Sequence, residues 1–266
     1  MEYYLFLIPL ISAFAVFSPF RVRGYLVNAT FSVVLIVTAS IIIASRGQFS
    51  GSDTFAYVSA FKEISGMTSF SFSDISFIYR SNRVPFVEPF FGTLTYLISL
   101  VTDDIYVYLF TLSFLGFSLL LIAYRKLSDN YLLVFILFLM SFTYVFLFAN
   151  AIRQAIAVPL VINGIISLYL CDNRPKLKFF LCIFCASLFH LASIVYIVLL
   201  FLKNKSNVTL IFGAIFILVI SQFGVVSSVL SLIPIELVRD KVVYYFSQRA
   251  PIGLNLISGI FFSVLG

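Results

Sequence analysis

Charged residues are scarce in this sequence, and that scarcity decides the class of protein. Of 266 residues only 11% are charged, whereas 62% are hydrophobic and the mean hydropathy is +1.11. A soluble core cannot absorb so much apolar surface without leaving large apolar patches exposed to water. The composition therefore predicts an integral membrane protein.

Residues that support disulfide or metal chemistry are also few. The three cysteines, Cys171, Cys182 and Cys185, lie in or beside apolar runs, and no CxxC or cysteine/histidine cluster with metal-ligand spacing occurs. Asp103 and Asp104 lack the DxD pattern that holds the metal of a nucleotide sugar. We therefore expect no disulfide, no bound metal and no cofactor.

Long apolar runs predict the fold class. Runs of about 17 to 20 residues recur, which is the length that an α-helix needs to cross hydrocarbon, whereas barrel strands would alternate over about ten residues. The sequence therefore predicts an all-α fold, a polytopic transmembrane helical bundle. The first run lacks the basic start and cleavage site of a signal peptide, so we expect it to be retained. The predicted spans are 3–20, 25–45, 105–123, 131–149, 154–171, 208–227 and a last run from residue 252.

The extent of the membrane domain follows from these spans. We expect residues 1–266 to form a single integral membrane domain. The last run stops at Gly266 after about 15 residues, short of a usual crossing. We therefore expect a chain that is truncated at its carboxyl end.

Basic residues predict the topology, because lysine and arginine of short loops face the cytoplasm. Segment 46–104 then lies outside, and 228–250 forms a second external loop. Within the first loop, 89–101 is expected to be an interfacial or re-entrant helix, since a crossing there would reverse the side of the basic residues that follow. The residues assigned to the inside are Arg21, Arg23, Arg125, Lys126, Arg174, Lys176 and Lys178.

Segment 176–205 leaves two topologies open. It has basic residues at both ends and His190 near its middle. It is either one helix or a shallow hairpin with both ends inside and His190 at the outward apex. We favour the hairpin.

Three polar residues of the first loop are candidates for a site. Asp53 and Tyr57 are four residues apart, which places them on one face of a helix. The alternative is that Asp53 only caps a helix that begins at Thr54. Glu88 precedes Pro89, a favoured first helical residue, so it too has an alternative role as a cap.

Arg153 lies near the start of an apolar run, where a permanent cation is costly. One interpretation is an anchor that extends to the outer interface. The other is a binding residue, because Gly164 lies almost three turns further on the same face and Pro159 loosens the helix between them. A guanidinium suits phosphate or carboxylate oxygens. An anion is then the expected ligand.

The only histidine of the chain, His190, lies inside an apolar run. It is either a hydrogen-bonded core residue or a neutral imidazole that acts as a base. The second loop adds further cations outside, which are misplaced by the positive-inside rule and therefore call for anions. These cations are Arg239, Lys241 and Arg249, and "YRSNR" in the first loop adds Arg80 and Arg83.

The order of these motifs resembles the Wzy-type polymerases of O-antigen and exopolysaccharide, in particular the EpsG-like group. The motifs are GSDTFAY, VEPFFGTL, NAIRQAIAVPL and SLFHLAS. The interval from Arg153 to Gly164 also resembles the arginine, ten residues, glycine pattern of such polymerases, whereas His190 has no glycine eleven residues later. The matching positions are Asp53, Tyr57, Glu88, Pro89, Arg153, Gln154, Ala157 and His190.

The resemblance implies a GT-C-like membrane glycosyltransferase of the bacterial inner membrane, with interfacial helices and an active site on the periplasmic side. Its substrates would be oligosaccharide repeat units linked to undecaprenyl diphosphate, which it would join without nucleotide sugars. Membrane lipids and a chain-length regulator are further expected partners, and nucleic acid is not expected.

The resemblance also implies roles for the candidate residues. Arg153 would bind the diphosphate of the leaving group. His190 is the first candidate for the base that takes the acceptor proton, and Asp53 or Glu88 is the second. The implied substrate-binding residues are Tyr57, Gln154, Arg239 and Arg249.

Two other functions remain open. An O-antigen ligase would transfer finished glycan to a lipid A core and would carry similar motifs. A lipid-linked oligosaccharide flippase or other transporter could use intramembrane Arg153 and His190 to line a pathway. The sequence shows no inverted repeat and no paired broken helices, so transport is the less favoured of the two.

Overall fold

The computed structural model describes residues 25–45, 52–84, 87–141, 147–148, 150–170 and 173–203. The chain divides after Leu200 into two compact units, and the contacts described below lie in the first. Every secondary-structure element of the described residues is helical. The elements are α1 Tyr25–Ser45, α2 Ser52–Ile64, α3 Phe72–Ser81, α4 Pro89–Ser99, α5 Ile105–Leu127, α6 Tyr131–Met140, α7 Ile152–Leu170, α8 Pro175–Phe189, a 3-10 helix Leu191–Val198 and α9 Leu199–Leu202.

Three helices are long and apolar enough to cross a membrane, namely α1 over Asn28–Ser45, α5 over Ile105–Leu127 and α7 over Ile152–Leu170. They agree with three of the predicted spans. The span predicted at 131–149 is represented by α6, which ends after ten residues because Ser141 turns to extended backbone. The other predicted spans and the second external loop lie outside the described residues. The complete polytopic bundle and its GT-C-like character stay predictions.

The segment between α1 and α5 folds into three short helices. Helices α2, α3 and α4 have 13, 10 and 11 residues, and at about 1.5 Å per residue none can cross about 30 Å of hydrocarbon. The interfacial or re-entrant placement of 89–101 stays a prediction. Their inner faces meet α5 in one core, where Phe61 stacks on Tyr108 with ring centroids 4.2 Å apart.

Helices α5 and α7 pack closely at Gly116, a residue that has no side chain. A Cβ atom added to Gly116 of α5 would lie 2.6 Å from the carbonyl oxygen of Ala155 and 2.8 Å from Cε1 of Phe148. Pro159 of α7 has no N–H group, so it cannot donate to this same carbonyl in the usual helical pattern. The glycine on α5 thus allows a close contact with the backbone of α7, at a carbonyl group that Pro159 leaves without its usual helical donor.

Helix α8 occupies the face of α7 that carries Gly164. A Cβ atom at Gly164 would lie 3.0 Å from Cβ of Cys182 and 3.5 Å from the carbonyl oxygen of Phe179. The hypothesis that this face admits a substrate therefore does not hold at Gly164, because another helix fills the space. Here the glycine serves close helix packing.

The segment 176–205 is not a single helix. Helix α8 ends at Phe189, and His190 has extended backbone with φ −152° and ψ 104°. An eight-residue 3-10 helix, Leu191–Val198, follows at once. The interruption at His190 excludes one continuous helix over 176–205. The hairpin, and the side of the membrane that His190 faces, stay predictions.

Candidate functional site

Arg153 lies in the first turn of α7 and turns inward. Its side chain is 12% exposed, and its Nη1 donates to Oε2 of Glu88 over 2.6 Å. Its Nε donates to the hydroxyl oxygen of Tyr57 over 2.7 Å. The interpretation as an anchor at the outer interface is therefore not supported, because the guanidinium binds partners from α2 and from the start of α4.

Glu88 stands at the N-cap position of α4, directly before Pro89. Its carboxylate makes no capping bond to its own helix, so the interpretation of this side chain as a simple cap is wrong. The side chain is only 4% exposed. Its Oε2 binds Arg153, and its Oε1 accepts a hydrogen bond from the backbone N–H of Leu191 over 3.1 Å. Removal of a carboxylate from water is costly without such partners.

His190 approaches the same carboxylate. Its Nδ1 lies 3.8 Å from Oε1 of Glu88, and its side chain is 18% exposed. The extended backbone at His190 directs the chain from α8 into the 3-10 helix next to Glu88. We call Arg153, Tyr57, Glu88, His190 and the N–H of Leu191 the Arg153 junction.

A layer of buried hydroxyl groups supports the junction. The hydroxyl of Tyr79 lies 2.9 Å from Oγ1 of Thr95, which lies 3.4 Å from the hydroxyl of Tyr108. Burial raises the pKa of Tyr79 well above its usual range, so this phenol keeps its proton. The ring of Phe91 meets the ring of Tyr57 edge to face at 5.4 Å and so fixes the phenol that Arg153 contacts.

The structure describes the other predicted site residues only in part. Asp53 lies in the first turn of α2, which starts at Ser52 and not at the predicted Thr54; its side chain is outside the described part. Gln154 is half-buried beside Arg153 on α7. Arg239, Lys241 and Arg249 fall outside the described residues, so their roles stay predictions.

A second set of polar contacts, not predicted from the sequence, lies further along α7. Asn163 is 5% exposed, and its Nδ2 donates to the carbonyl oxygens of Leu119 and Pro159 over 2.9 Å each. Its Oδ1 accepts from Nζ of Lys126 over 2.9 Å. We call these groups the Asn163 junction. An asparagine inside an apolar run is the sequence signal that could have indicated it.

Metal-ligating side chains are few at the Arg153 junction. Within the described ranges, no group of three or more histidine, cysteine, aspartate or glutamate residues could hold a metal ion. The Arg153 junction has one carboxylate and one imidazole, and its carboxylate already balances the guanidinium.

Buried charge among apolar helices is typical of a membrane protein with a polar site. A family model, the EpsG family, matches residues 29–265, and the chain belongs to this family of EpsG-like polysaccharide polymerases. The match confirms the resemblance stated from the motifs and indicates a membrane protein with a polymerase-type function. No curated protein and no solved structure matches the chain.

Proposed function

We propose that this protein joins oligosaccharide repeat units linked to undecaprenyl diphosphate into O-antigen or exopolysaccharide, at the periplasmic face of the inner membrane. The family supports a polymerase of polysaccharide. The substrate and the side of the membrane are part of the proposal.

One observation carries this proposal, namely the buried contact of Arg153 with Glu88 beside His190. A permanent cation, an imidazole and two hydrogen-bonding side chains converge at the start of a candidate span. Substitution of one sugar linkage for another needs a group that stabilises a leaving diphosphate and a group that accepts a proton. The Arg153 junction supplies both types of group, because the guanidinium and the imidazole lie 2.6 Å and 3.8 Å from the two carboxylate oxygens of Glu88.

The proposed step is a substitution at the anomeric carbon of the donor. A hydroxyl oxygen of the acceptor repeat unit forms a bond to this carbon, and the bond from the carbon to the diphosphate oxygen breaks. The diphosphate leaves with the electron pair, stabilised by the guanidinium of Arg153. The hydroxyl proton passes to the imidazole of His190. Tyr57 and Gln154 orient sugar hydroxyls, and Arg239 or Arg249 assists at the diphosphate.

A complementation experiment tests this function. In a strain whose surface polysaccharide depends on this protein, deletion should leave glycan of a single repeat unit. Arg153→Lys keeps the charge but loses the planar fork, so we expect loss of long chains. His190→Gln should also abolish polymer, because the amide cannot accept the proton.

The control is Arg125→Lys, which makes the same change at an exposed arginine of α5 that was assigned to the opposite side of the membrane. It should give normal chain lengths on a gel of the extracted glycan. Near-normal polymer with Arg153→Lys would refute the diphosphate role. Build-up of lipid-linked repeat units on the cytoplasmic side of the deletion strain would point to a transporter instead.

A further inference from the structure

Glu88 has two neighbours that lie far apart along the chain. Its Oε2 accepts from Arg153 of α7 over 2.6 Å, and its Oε1 accepts from the backbone N–H of Leu191 over 3.1 Å. One carboxylate thus joins the start of α4, the start of α7 and the 3-10 helix.

The bond to Leu191 determines where the 3-10 helix begins. The first N–H groups of any helix have no partner within it and need one from outside. Glu88 supplies that partner at Leu191, the first residue of the 3-10 helix. Runs of 3-10 helix longer than about four residues are uncommon and need support from their surroundings, and this one has eight.

The same bond holds His190 in place. The N–H of His190 donates to the carbonyl oxygen of Ala186 over 2.8 Å, and its own carbonyl oxygen accepts from Ser193 over 2.9 Å. With the next N–H bound to Glu88, backbone groups on both sides of the imidazole are fixed. The imidazole lies beside the same carboxylate, with its Nδ1 3.8 Å from Oε1 of Glu88.

Glu88 is poorly suited to take part in proton transfer itself. Protonation would remove the negative charge that balances the guanidinium of Arg153, and both groups are almost fully removed from water. The loss of one partner of a buried ion pair is strongly unfavourable. The carboxylate is thus more useful as a fixed charge than as a base.

We propose that Glu88 is a positioning residue that sets the imidazole of His190 and the guanidinium of Arg153 in one geometry, and is not the second candidate base. The proposal rests on the proposed function only for its consequence in catalysis. The placement of His190 by Glu88 is independent of which glycan is joined.

The single histidine of the chain makes this placement measurable. Protein labelled with ¹⁵N-histidine has one pair of ring nitrogens, which solid-state NMR of the full chain in lipid bilayers can detect. Glu88→Gln keeps the size of the side chain and removes its charge. We expect the ring signals to shift by more than their linewidth or to split, and polymer yield in the complemented strain to fall by about 100-fold, as for a misplaced catalytic group.

Glu63→Gln is the matched control, because Glu63 is an exposed glutamate of α2 that binds Asn82. Its ring signals should equal those of the wild type. If Glu88→Gln fails to insert, Glu88→Asp replaces it, since the charge remains but the side chain is one methylene shorter and cannot keep both contacts. It too should move the ring signals.

Ring signals identical to the wild type in Glu88→Gln, or in Glu88→Asp where that replaces it, would overturn the positioning role. That result would leave the polymer defects of Arg153→Lys and His190→Gln untouched. Conversely, normal polymer with those two variants would refute the proposed function while a shifted ring signal still upheld the role of Glu88.

Discussion

Helix α7 carries two polar junctions that differ in what they join. At its start, Arg153 binds side chains from α2 and α4. Ten residues later, Asn163 binds two backbone carbonyl groups and the amine of Lys126. The Arg153 junction contains a buried ion pair, whereas the central group of the Asn163 junction is a neutral amide.

The two junctions also differ in the kind of group that each one contains. The amide of Asn163 donates to one backbone carbonyl on α5 and to one on its own helix α7, so its bond to Leu119 serves to hold α5 and α7 together. At the Arg153 junction four of the five groups are ionised or ionisable side chains, and the fifth is the backbone N–H of Leu191. A buried ion pair is often no more stabilising than apolar residues of similar size, so we expect the pair of Arg153 and Glu88 to be retained for a reason other than stability. The predictions below test this contrast.

The largest effect is expected when the charge pair is broken on one side. Arg153→Met leaves the carboxylate of Glu88 buried without its cation, and should lower the free energy of unfolding by about 3–5 kcal/mol. Thermal unfolding of purified protein in detergent measures this change.

The double variant Arg153→Met with Glu88→Met separates stability from function. Apolar residues in place of both charges should recover much of the stability but no polymer. Full recovery of polymer would show that the charge pair is only structural, and would remove the contrast between the two junctions.

The next largest loss of stability is expected at the contact between α5 and α7, which lies between the two junctions along α7. Gly116→Ala places a methyl group against the carbonyl oxygen of Ala155 and the ring of Phe148. Because backbone cannot yield easily, we expect a loss of about 1–3 kcal/mol, together with shorter polymer.

Gly66→Ala is the control, since its added Cβ atom would meet only the carbonyl oxygen of Glu63 at an ordinary 3.5 Å. Equal melting temperatures for the two variants would contradict the close approach of α5 and α7.

A smaller effect is expected at the Asn163 junction. Asn163→Leu removes two hydrogen bonds to backbone carbonyl groups and one from Lys126, at a cost of about 1–2 kcal/mol. Chain length of the glycan should remain normal, because no group of the Arg153 junction changes. A glycan ladder as short as that of Arg153→Lys would place Asn163 among the functional residues.

The smallest effect is expected for Lys126→Met. The lysine is exposed, so its bond to Asn163 competes with water and should contribute less than about 0.5 kcal/mol. Melting curves at low and high salt should coincide with those of the wild type. A loss as large as that of Asn163→Leu would show that the amine, and not the amide, holds this junction.

Much of the candidate site could be predicted from its residues. Arg153 and His190 stand out because they are polar residues within apolar runs, and Glu88 and Tyr57 belong to motifs of the family. The partner of Leu191 could not be predicted, because a backbone N–H group carries no sequence signal. The contact between Glu88 and Arg153 also had no local sign, since 65 residues separate the two.

Some predictions were limited by periodicity itself. Gly164 and Arg153 share a face of an ideal helix, yet the structure fills the face at Gly164 with α8. Hydropathy extended the span at 131–149 beyond Met140, where α6 ends. Helical periodicity predicts which residues share one face of a helix. It does not predict which neighbouring helix packs against that face.

The sequence by itself determined the solvent and the helical class of this protein, because long apolar runs must satisfy their backbone groups internally in a membrane. It also determined the family, through an ordered set of short motifs. Only the tertiary structure decided that Glu88 faces both Arg153 and Leu191, because contacts between distant segments depend on how the helices pack. The sequence identifies the charge of Arg153, whereas only the fold identifies Glu88 as the group that balances it.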